Sequence, residues 1–448
     1  MEKAHTNDAP VSSLGLRRCQ ALFRISLVAL PYLFYPGLLG LLVTLIGMLV
    51  VKDTRRSLDP LTQVSLIGLS ILLVISSTLA VNPGEAFLQL SNFLPFFWLF
   101  AALPTLIGTF RRLEQIATDL VIAALPIHII AAIEYVLKAS WLPTELSQWS
   151  VVEAIVEAIR AAPHRGRAMV MFDHPNALAS YLVIIFGLGL GLTLKRLFCD
   201  SSLESKPSLL WFHIPVSNPL LYLATGSNLL GLFASGSRNG LLVAISQIIV
   251  FGLLAKAKRV ILIIGTVMVF GLIAGTAWLG LGHRPHAITN LADDPRIGIW
   301  KIALDLIRER PWFGWGLGNF KMLYPPRLID PAYQDIFHPH NIWLLLGSEA
   351  GLPVMIAFTV MVSYVLYRGI RLVRLPRLSP SAHWIVIAYF LAFLGCVAFA
   401  LFDVTLYDAR VNMLNWLALA GIYTPTIMEN QGGHQLGRRS PSTRFTID

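Results

Sequence analysis

Residues 174–194 read HPNALASYLVIIFGLGLGLTL, a stretch without Asp, Glu, Lys or Arg that is long enough to cross a bilayer as one helix. Similar runs recur along the 448 residues, of which 55% are hydrophobic and 13% are charged, against about 25% charged residues in an ordinary soluble domain. A soluble protein of this size could not bury that much apolar surface, which excludes a soluble enzyme and a disordered scaffold. Because the apolar runs are unbroken rather than alternating, a membrane β-barrel is also disfavoured.

The apolar runs predict an all-α fold, a polytopic transmembrane helical bundle of about twelve spans. The first stretch, 21–51, is interrupted by Pro31 and Pro36, so we assign it to two short helices packed as a hairpin. The remaining spans are predicted near 61–80, 91–108, 116–137, 174–194, 219–234, 239–255, 260–281, 341–367, 381–403 and 411–427.

Charges between the spans predict the orientation of the bundle. With the N-terminus in the cytoplasm, every inner segment carries at least two Lys or Arg, and each short outer loop carries at most one. The net charge of +10 is thereby explained without a nucleic-acid partner. We predict cytoplasmic segments at 1–20 and 429–448, the latter disordered, a membrane domain at 21–428, and long periplasmic loops at 139–173 and 282–340.

Both long loops contain a segment with the spacing of an amphipathic interfacial helix. The first is predicted within 145–161, where the apolar positions are Trp149, Val152, Ile155, Val156 and Ile159. The second has an apolar stripe formed by Ile297, Trp300, Leu304 and Ile307. It is followed by PWFGWGLGNF at 311–320, where glycine permits tight turns and close backbone approach and the aromatics suit a membrane interface. The alternative is a lid that only packs on the bundle.

Two His-Pro pairs begin spans on the predicted outer side, within 173–176 and 338–341. Helix initiation alone would explain much of each pair, because Pro suits the first helical turn and Asp or Asn caps it. That explanation is the stronger one for His174. For His340 we expect a functional role, since a histidine with an ordinary pKa near 6.5 is a natural general base.

Two glycines follow His340 at helical spacing. On a continuous helix, Gly347 and Gly351 lie within about 20° of the His340 direction. Glycine on that face lets another helix or a lipid chain come close. We therefore expect His340 at the outer rim of a lipid-facing groove.

Arginine is the side chain best suited to hold a phosphate, because its planar fork of donors matches the phosphate oxygens. Arg238 lies in a very short turn between two spans, and Arg296 begins the second interfacial helix. Arg165 and Arg167 precede the helix start at 173–176. The pair Asp293-Asp294 is adjacent in sequence and lacks a third ligand at suitable spacing, so we predict no metal site.

Four segments resemble the superfamily of O-antigen ligases and O-antigen polymerases, which are bacterial polytopic membrane proteins. They are FDHPNALA at 172–179, SGSRNG at 235–240, RIGIW at 296–300 with GWGLGNF at 314–320, and HPHN at 338–341. In the last, His340-Asn341 is separated by nine residues from Gly351-Leu352, a pattern that looks like the ligase signature. The resemblance covers about 172–352.

The resemblance implies a glycosyltransferase of the inner membrane that needs no metal, cofactor or nucleotide sugar. Its donor would be a glycan on undecaprenyl diphosphate at the periplasmic leaflet. Its acceptor would be lipid A–core in a ligase, or another lipid-linked glycan in a polymerase; a bicarbonate or other solute transporter is the less favoured alternative.

The resemblance also implies roles for particular residues. By position, His340 would be the base, and Arg238 and Arg296 would hold the diphosphate. Further contacts to donor, acceptor or membrane lipid are expected from Arg165, Arg167, His174, Asn176, His338, Asn341, Gly347 and Gly351.

Overall fold

The computed structural model describes residues 14–50, 58–138, 150–161, 164, 166–199, 208–209, 214–254, 266–267, 270, 296–327, 336–374 and 378–437. Over these residues the regular secondary structure is helical, apart from a small antiparallel hairpin that pairs Ser208–Leu209 with Ile214–Pro215. The predicted all-α class is confirmed.

The described helices follow the apolar runs closely. In chain order they are α1 (Leu14–Ala29), α2 (Phe34–Val50), α3 (Pro60–Thr78), α4 (Pro83–Gln89), α5 (Leu94–Ile107), α6 (Phe110–Ala123), α7 (Leu125–Leu137), α8 (Ser150–Ala161), α9 (Pro175–Phe198), α10 (Asn218–Ala234), α11 (Arg238–Leu254), α12 (Arg296–Glu309), α13 (Phe320–Leu323), α14 (Ile342–Leu345), α15 (Leu352–Val373), α16 (Pro380–Ala400) and α17 (Ala409–Gly437).

Six helical segments among the described residues are long and apolar enough to cross a membrane: Pro60–Thr78, Pro83–Ile107, Phe110–Leu137, Pro175–Phe198, Leu352–Val373 and Pro380–Ala400. Shorter apolar helices occupy Phe34–Val50 and Arg238–Leu253. The chain is thus a multi-pass membrane protein, and the count of twelve spans stays a prediction. Most of the span predicted at 260–281 lies outside the described residues.

The first apolar stretch forms the predicted helical hairpin. Helices α1 and α2 pack against each other over much of their length. At Gly37 a Cβ would come 2.6 Å from the Leu30 Cα, so glycine is needed where the two helices of the hairpin meet. The prediction of two helices rather than one is confirmed.

Helix α9 lies at the centre of the bundle, with almost all of its side chains buried. It packs most extensively on α16. At Gly187 and Gly191 a Cβ would come 2.5 Å from the Ala392 nitrogen and 2.3 Å from the Ala388 Cα. Small residues therefore bring the two backbones together, as is usual between membrane helices.

Two predictions about these elements are wrong. The span over 341–367 is not one helix, because α14 runs into a π-helical turn, Leu346–Ala350, and the chain breaks at Gly351 before α15. The last helix extends to Gly437, so residues 429–437 are helical rather than disordered. Helix α8 agrees with its predicted segment, except that Trp149 lies outside the described residues.

Helix α12 packs on the protein through a face different from its predicted stripe. Ile299, Ile302, Ala303 and Leu306 pack on Phe320 and Tyr324. Ile297 and Leu304 of the predicted stripe are 39% and 43% exposed. A stripe that faces lipid is expected to be exposed on the protein surface, so the interfacial helix stays a prediction.

The bundle has two chemically different ends. We call the end where α9 and α17 begin and α16 finishes the site end. At the opposite end, buried charges are paired: Lys195 with Glu114 and Arg24 with Asp119, both at 2.7 Å, and Arg368 with Asp59 at 2.8 Å. Pairing is what permits ionised groups among apolar helices.

Candidate active site

A loop at the site end brings an aspartate against His340. The loop follows α16 and holds Asp403, whose Oδ1 lies 3.0 Å from the His340 Nδ1. Asp403 is buried, whereas 24% of the His340 side chain is exposed. The buried Asp403 carboxylate therefore positions a partly exposed imidazole.

The carboxylate is the centre of a hydrogen-bond chain. Asn176, in the first turn of α9, donates through Nδ2 to the Asp403 Oδ2 at 2.6 Å. Its Oδ1 accepts from the Arg167 Nη2 at 2.7 Å, and the Arg167 Nε donates to the Ser235 carbonyl at 2.8 Å. Two predicted site residues, Arg167 and Asn176, thus connect the α10–α11 turn to His340 through Asp403.

The protonation of this cluster follows from its contacts. Burial alone would raise the pKa of Asp403, but the His340 hydrogen bond and the two nearby imidazoles hold that pKa well below its usual range. An ionised carboxylate only accepts hydrogen bonds, so the His340 Nδ1 is the donor, and in the neutral imidazole the lone pair is on Nε2. Burial lowers the pKa of His338 to about 4, which leaves His338 neutral at neutral pH.

His340 sits in an unusual backbone conformation. Its φ is +51°, in the left-handed region that residues other than glycine rarely adopt. The turn is fixed on both sides: the His340 nitrogen donates to the His338 Nδ1 at 3.3 Å, and Asn341 caps α14 through Trp343 and Leu344. The Asn341 Nδ2 also donates to the Leu401 carbonyl at 3.0 Å. Asn341 therefore positions His340 relative to the Asp403 loop.

The His-Pro pair at 174–175 begins helix α9. His174 is the N-cap of α9, and its Nδ1 accepts from the Asn176 nitrogen at 3.0 Å. Burial lowers the pKa of His174 to about 4, and its ring lies edge-on to His164 with centroids 4.4 Å apart. Helix initiation, the alternative weighed for this residue, accounts for the Asn176 contact, and a substrate contact of His174 stays a prediction.

The two arginines expected to bind the diphosphate begin helices. Arg238 is exposed at the first residue of α11, and Arg296 is half-buried at the first residue of α12. The turn before Arg238 is tied to the site, because the Ser235 carbonyl accepts from Arg167 and the Ala234 carbonyl accepts from the Ala168 nitrogen at 2.9 Å. Arg165 lies outside the described residues.

The glycine-aromatic segment 311–320 packs on the π-helical turn. Gly314, Gly316 and Gly318 all have positive φ. Backbone nitrogens of Gly318 and Phe320 donate to the buried Glu349 carboxylate at 2.8 and 2.9 Å. The glycines serve tight turns and close approach, as the sequence predicts.

Gly347 and Gly351 do not share an open face with His340. A Cβ at Gly347 would come 2.8 Å from the Ile307 Cδ1, and one at Gly351 would come 2.3 Å from the Trp312 carbonyl oxygen. Both glycines contact protein, so the expected lipid-facing groove at these positions is wrong. The cause is the π-helical turn, which changes the phase on which that expectation depended.

Neither Asp403 nor Arg410 was identified as a site residue from the sequence. The guanidinium of Arg410 is buried, pairs with Asp408 at 2.7 Å and donates to the Met171 carbonyl. The signal available was the loop FDVTLYD at 402–408, which places two carboxylates between apolar spans at the predicted outer side. Nothing in the spacing indicates which histidine they would meet.

One atom each from His338, His340 and Asp403 lies within 4.8 Å of the others, close enough to hold a cation. The His340 Nδ1 and the Asp403 Oδ1 are hydrogen-bonded, and the His338 Nε2 lies 4.0 Å from the same oxygen. The absence of a metal site stays a prediction. The residues Asp293 and Asp294 lie outside the described residues.

Comparison with protein families identifies a segment that contains much of this site. Residues 223–359 match the family described as O-antigen ligase. The resemblance predicted from the sequence motifs is confirmed, and the O-antigen ligase match includes Arg238, Arg296, His338 and His340. Arg167, Asn176 and Asp403 lie outside the matched segment. Among curated proteins, no sequence matches the chain significantly.

Proposed function

We propose that the protein is an O-antigen ligase, which transfers a glycan from undecaprenyl diphosphate to a sugar hydroxyl of lipid A–core at the periplasmic face of the inner membrane. The observation that carries the proposal is the His340–Asp403 pair: a partly exposed imidazole, oriented by a buried carboxylate, in a chain that matches the O-antigen ligase family.

In the proposed reaction His340 is the general base. Its Nε2 takes the proton of the acceptor hydroxyl as the hydroxyl oxygen bonds to the anomeric carbon of the donor glycan. The bond from that carbon to the diphosphate oxygen breaks, and undecaprenyl diphosphate leaves with the bonding electrons. The imidazolium that forms is stabilised by Asp403, which stays ionised, and later releases its proton to water.

The leaving group needs positive charge more than it needs a proton. Diphosphate already carries negative charge, and two guanidinium groups would stabilise the charge that develops on the bridging oxygen. Arg238 and Arg296 are proposed for this role, because each begins a helix and both are accessible to some degree. Their helix N-termini add favourable backbone dipoles for an anion.

Reconstitution tests the proposal. The full chain is incorporated into vesicles with a polyprenyl-diphosphate glycan and lipid A–core, and product glycolipid is measured with and without a chelator. We expect transfer in both conditions. His340→Ala should lower the rate by about 10²–10⁴-fold at unchanged protein abundance, the usual effect of losing a positioned general base.

The same experiment separates the alternatives. Glycan joined to a second carrier lipid, with none on lipid A–core, would identify a polymerase instead of a ligase. Solute uptake by the vesicles without glycan transfer would support a transporter. A chelator-induced loss restored by magnesium or manganese would contradict the metal-free mechanism.

A further inference from the structure

A buried ion pair lies where α7 ends, at the site end of the bundle. The Lys138 Nζ is 2.7 Å from the Glu134 Oε1, and the two side chains are 2% and 12% exposed. The pair of Lys195 with Glu114 joins two helices, α9 and α6. Glu134 and Lys138 stand one turn apart on the same segment, so their pairing joins no helices. The reason for burying these charges lies in what else they bind.

The same two side chains hold the backbone of the loop 167–170, which precedes α9. The Glu134 Oε2 accepts from the Met169 and Val170 nitrogens at 3.0 and 2.7 Å. The Lys138 Nζ donates to the Arg167 carbonyl at 2.9 Å. One carboxylate and one ammonium group therefore fix both ends of this short loop.

The loop needs such support because its backbone is strained. Val170 has a φ of +56°, which is a rare conformation for a β-branched residue. Strain of this kind persists only where the surroundings hold it in place. The adjacent N–H groups of Met169 and Val170 converge on one oxygen, and the Lys138 ammonium needs a second acceptor. A carboxylate can satisfy all three donors, whereas an amide has only one acceptor atom.

The loop carries Arg167, which belongs to the hydrogen-bond chain of the candidate site. The Arg167 side chain is buried, and its Nη2 donates to the Asn176 Oδ1 at 2.7 Å. The Asn176 Nδ2 in turn donates to the Asp403 Oδ2 at 2.6 Å. A shift of the loop would move the guanidinium away from Asn176 and loosen the contact that orients Asp403.

We propose that Glu134 and Lys138 are positioning residues for glycan transfer. They fix the loop before α9, and through Arg167 and the Asp403 carboxylate they hold the His340 imidazole in its reactive orientation. The proposal rests on the proposed function, in which His340 is the base. Neither Glu134 nor Lys138 is assigned a contact with donor or acceptor.

Glu134→Gln tests the proposal in the reconstituted transfer assay. It keeps the size of the side chain, but its amide cannot accept from both N–H groups and from the ammonium. We expect the rate per folded protein to fall by about 10–10²-fold, because a small misplacement of a catalytic group has effects up to that size. Folded protein is measured as the monodisperse fraction in size-exclusion chromatography.

Glu114→Gln is the matched control. It makes the same change in an ion pair of the same length, 2.7 Å, with similarly buried side chains, at the opposite end of the bundle. Its transfer rate per folded protein should equal that of the wild type. A comparable rate loss in Glu114→Gln would overturn the proposal, since breaking any buried pair would then slow transfer.

Two further variants separate positioning from general structural support. In the His340→Ala background, Glu134→Gln should cause no further loss of rate, because it acts through His340. Lys138→Met alone should lower the rate about tenfold. Added to Glu134→Gln, it should restore part of the rate, since the amide oxygen can then accept from both N–H groups with no cation left unpaired.

The remaining outcomes are decisive in the same way. A wild-type rate in folded Glu134→Gln, or an equal loss with and without His340, would overturn the proposal. If Glu134→Gln yields no folded protein, a wild-type rate in Lys138→Met would overturn it instead. If the wild type itself transfers no glycan, the proposed function fails, and the role assigned to Glu134 and Lys138 fails with it.

Discussion

Asp403 decides which nitrogen of His340 can accept a proton. The ionised carboxylate accepts a hydrogen bond from Nδ1, so the lone pair of the neutral imidazole is on Nε2 and available to the acceptor hydroxyl. Asp403→Asn keeps the shape but can donate to Nδ1, which favours the wrong tautomer. We expect a rate loss of about 10²–10⁴-fold in glycan transfer, because orienting carboxylates of this kind have effects of that size.

A double-variant cycle provides the control for this prediction. Because Asp403 acts through His340, the combination of Asp403→Asn with His340→Ala should be no slower than His340→Ala alone. Additive losses would show that Asp403 has a separate role. Asp408→Asn, in the same loop but paired with Arg410, should affect transfer through folding only, which protein abundance would report.

The arginines at the helix starts should differ from lysines in the same places. Arg238→Ala and Arg296→Ala are each expected to lower transfer by about 10²-fold or more, the scale of losing a transition-state charge contact. Lysine at either position should restore part of the rate, since it keeps the charge and loses the planar fork. Full activity of both alanine variants, measured in the reconstituted assay, would exclude the proposed diphosphate contacts.

The buried histidines make stability depend on pH. The pKa of both His338 and His174 is lowered to about 4, while an unfolded histidine titrates near 6.5. Between these values the unfolded chain binds more protons, so stability should fall as the pH decreases from about 6.5 towards 4. The stabilising effect of ionised Asp403 is lost only below its unfolded pKa of about 3.9, outside this window.

Unfolding temperatures in detergent between pH 7 and pH 4.5 measure this dependence. His338→Gln should reduce the slope, because it removes one group that must gain a proton on unfolding. An unchanged slope in that variant would mean that His338 does not carry the predicted linkage.

At the scale of elements, the helix break at Gly351 holds the chain against the glycine-aromatic segment 311–320. Gly351 has a φ of +92°, and its backbone passes close to Trp312, while the Leu352 nitrogen donates to the Pro311 carbonyl at 2.8 Å. Gly351→Ala combines backbone strain with a contact of 2.3 Å to the Trp312 oxygen. We expect a loss of at least about 2 kcal/mol in stability.

Gly68→Ala is the matched control for this variant. Gly68 lies within α3, and a Cβ there meets nothing within 4 Å, so alanine should be neutral or slightly stabilising. Unfolding temperatures of the two variants give the comparison. Equal values would show that the Gly351 break is not a fixed feature of the fold.

The same break marks where prediction from sequence stops. Hydropathy and proline positions are local signals, and they located the α1–α2 hairpin and most helix bounds correctly. The segment Leu346–Ala350 reads LGSEA and is followed by Gly351-Leu352-Pro353, which indicates a helix break, but the spacing does not show the change of helical phase that the π-helical turn makes. The phase error it introduces is why Gly347 and Gly351 were expected on the wrong face.

The candidate site could be predicted only in part, because the signals in the sequence are local. His340 and Asn176 stand in motifs that can be recognised along the chain, and Arg167 precedes one of them. Asp403 is 63 residues from His340 and 227 from Asn176, and its role exists only after α9 and α16 pack. No spacing rule connects residues on different helices, so the orienting partner required the structure.

The prediction that concerns the whole molecule is its orientation in the membrane. The site end carries His340 and Asp403, and the opposite end carries the ion pair of Lys195 with Glu114. The proposed reaction requires the site end to face the periplasm, where the lipid-linked donor is presented. The Lys and Arg distribution predicts the same orientation.

Cysteine labelling tests the orientation directly. On a background in which the three native cysteines are replaced by serine, Asn290→Cys should react with a membrane-impermeant maleimide in intact cells, and Lys256→Cys should react only after permeabilisation. Both residues lie in predicted loops on either side of the span at 260–281, so the pair also tests whether that span exists. If both positions react from the same side, the twelve-span topology is wrong. If Lys256→Cys alone reacts in intact cells, the bundle is inverted, His340 faces the cytoplasm, and a periplasmic donor could not reach it.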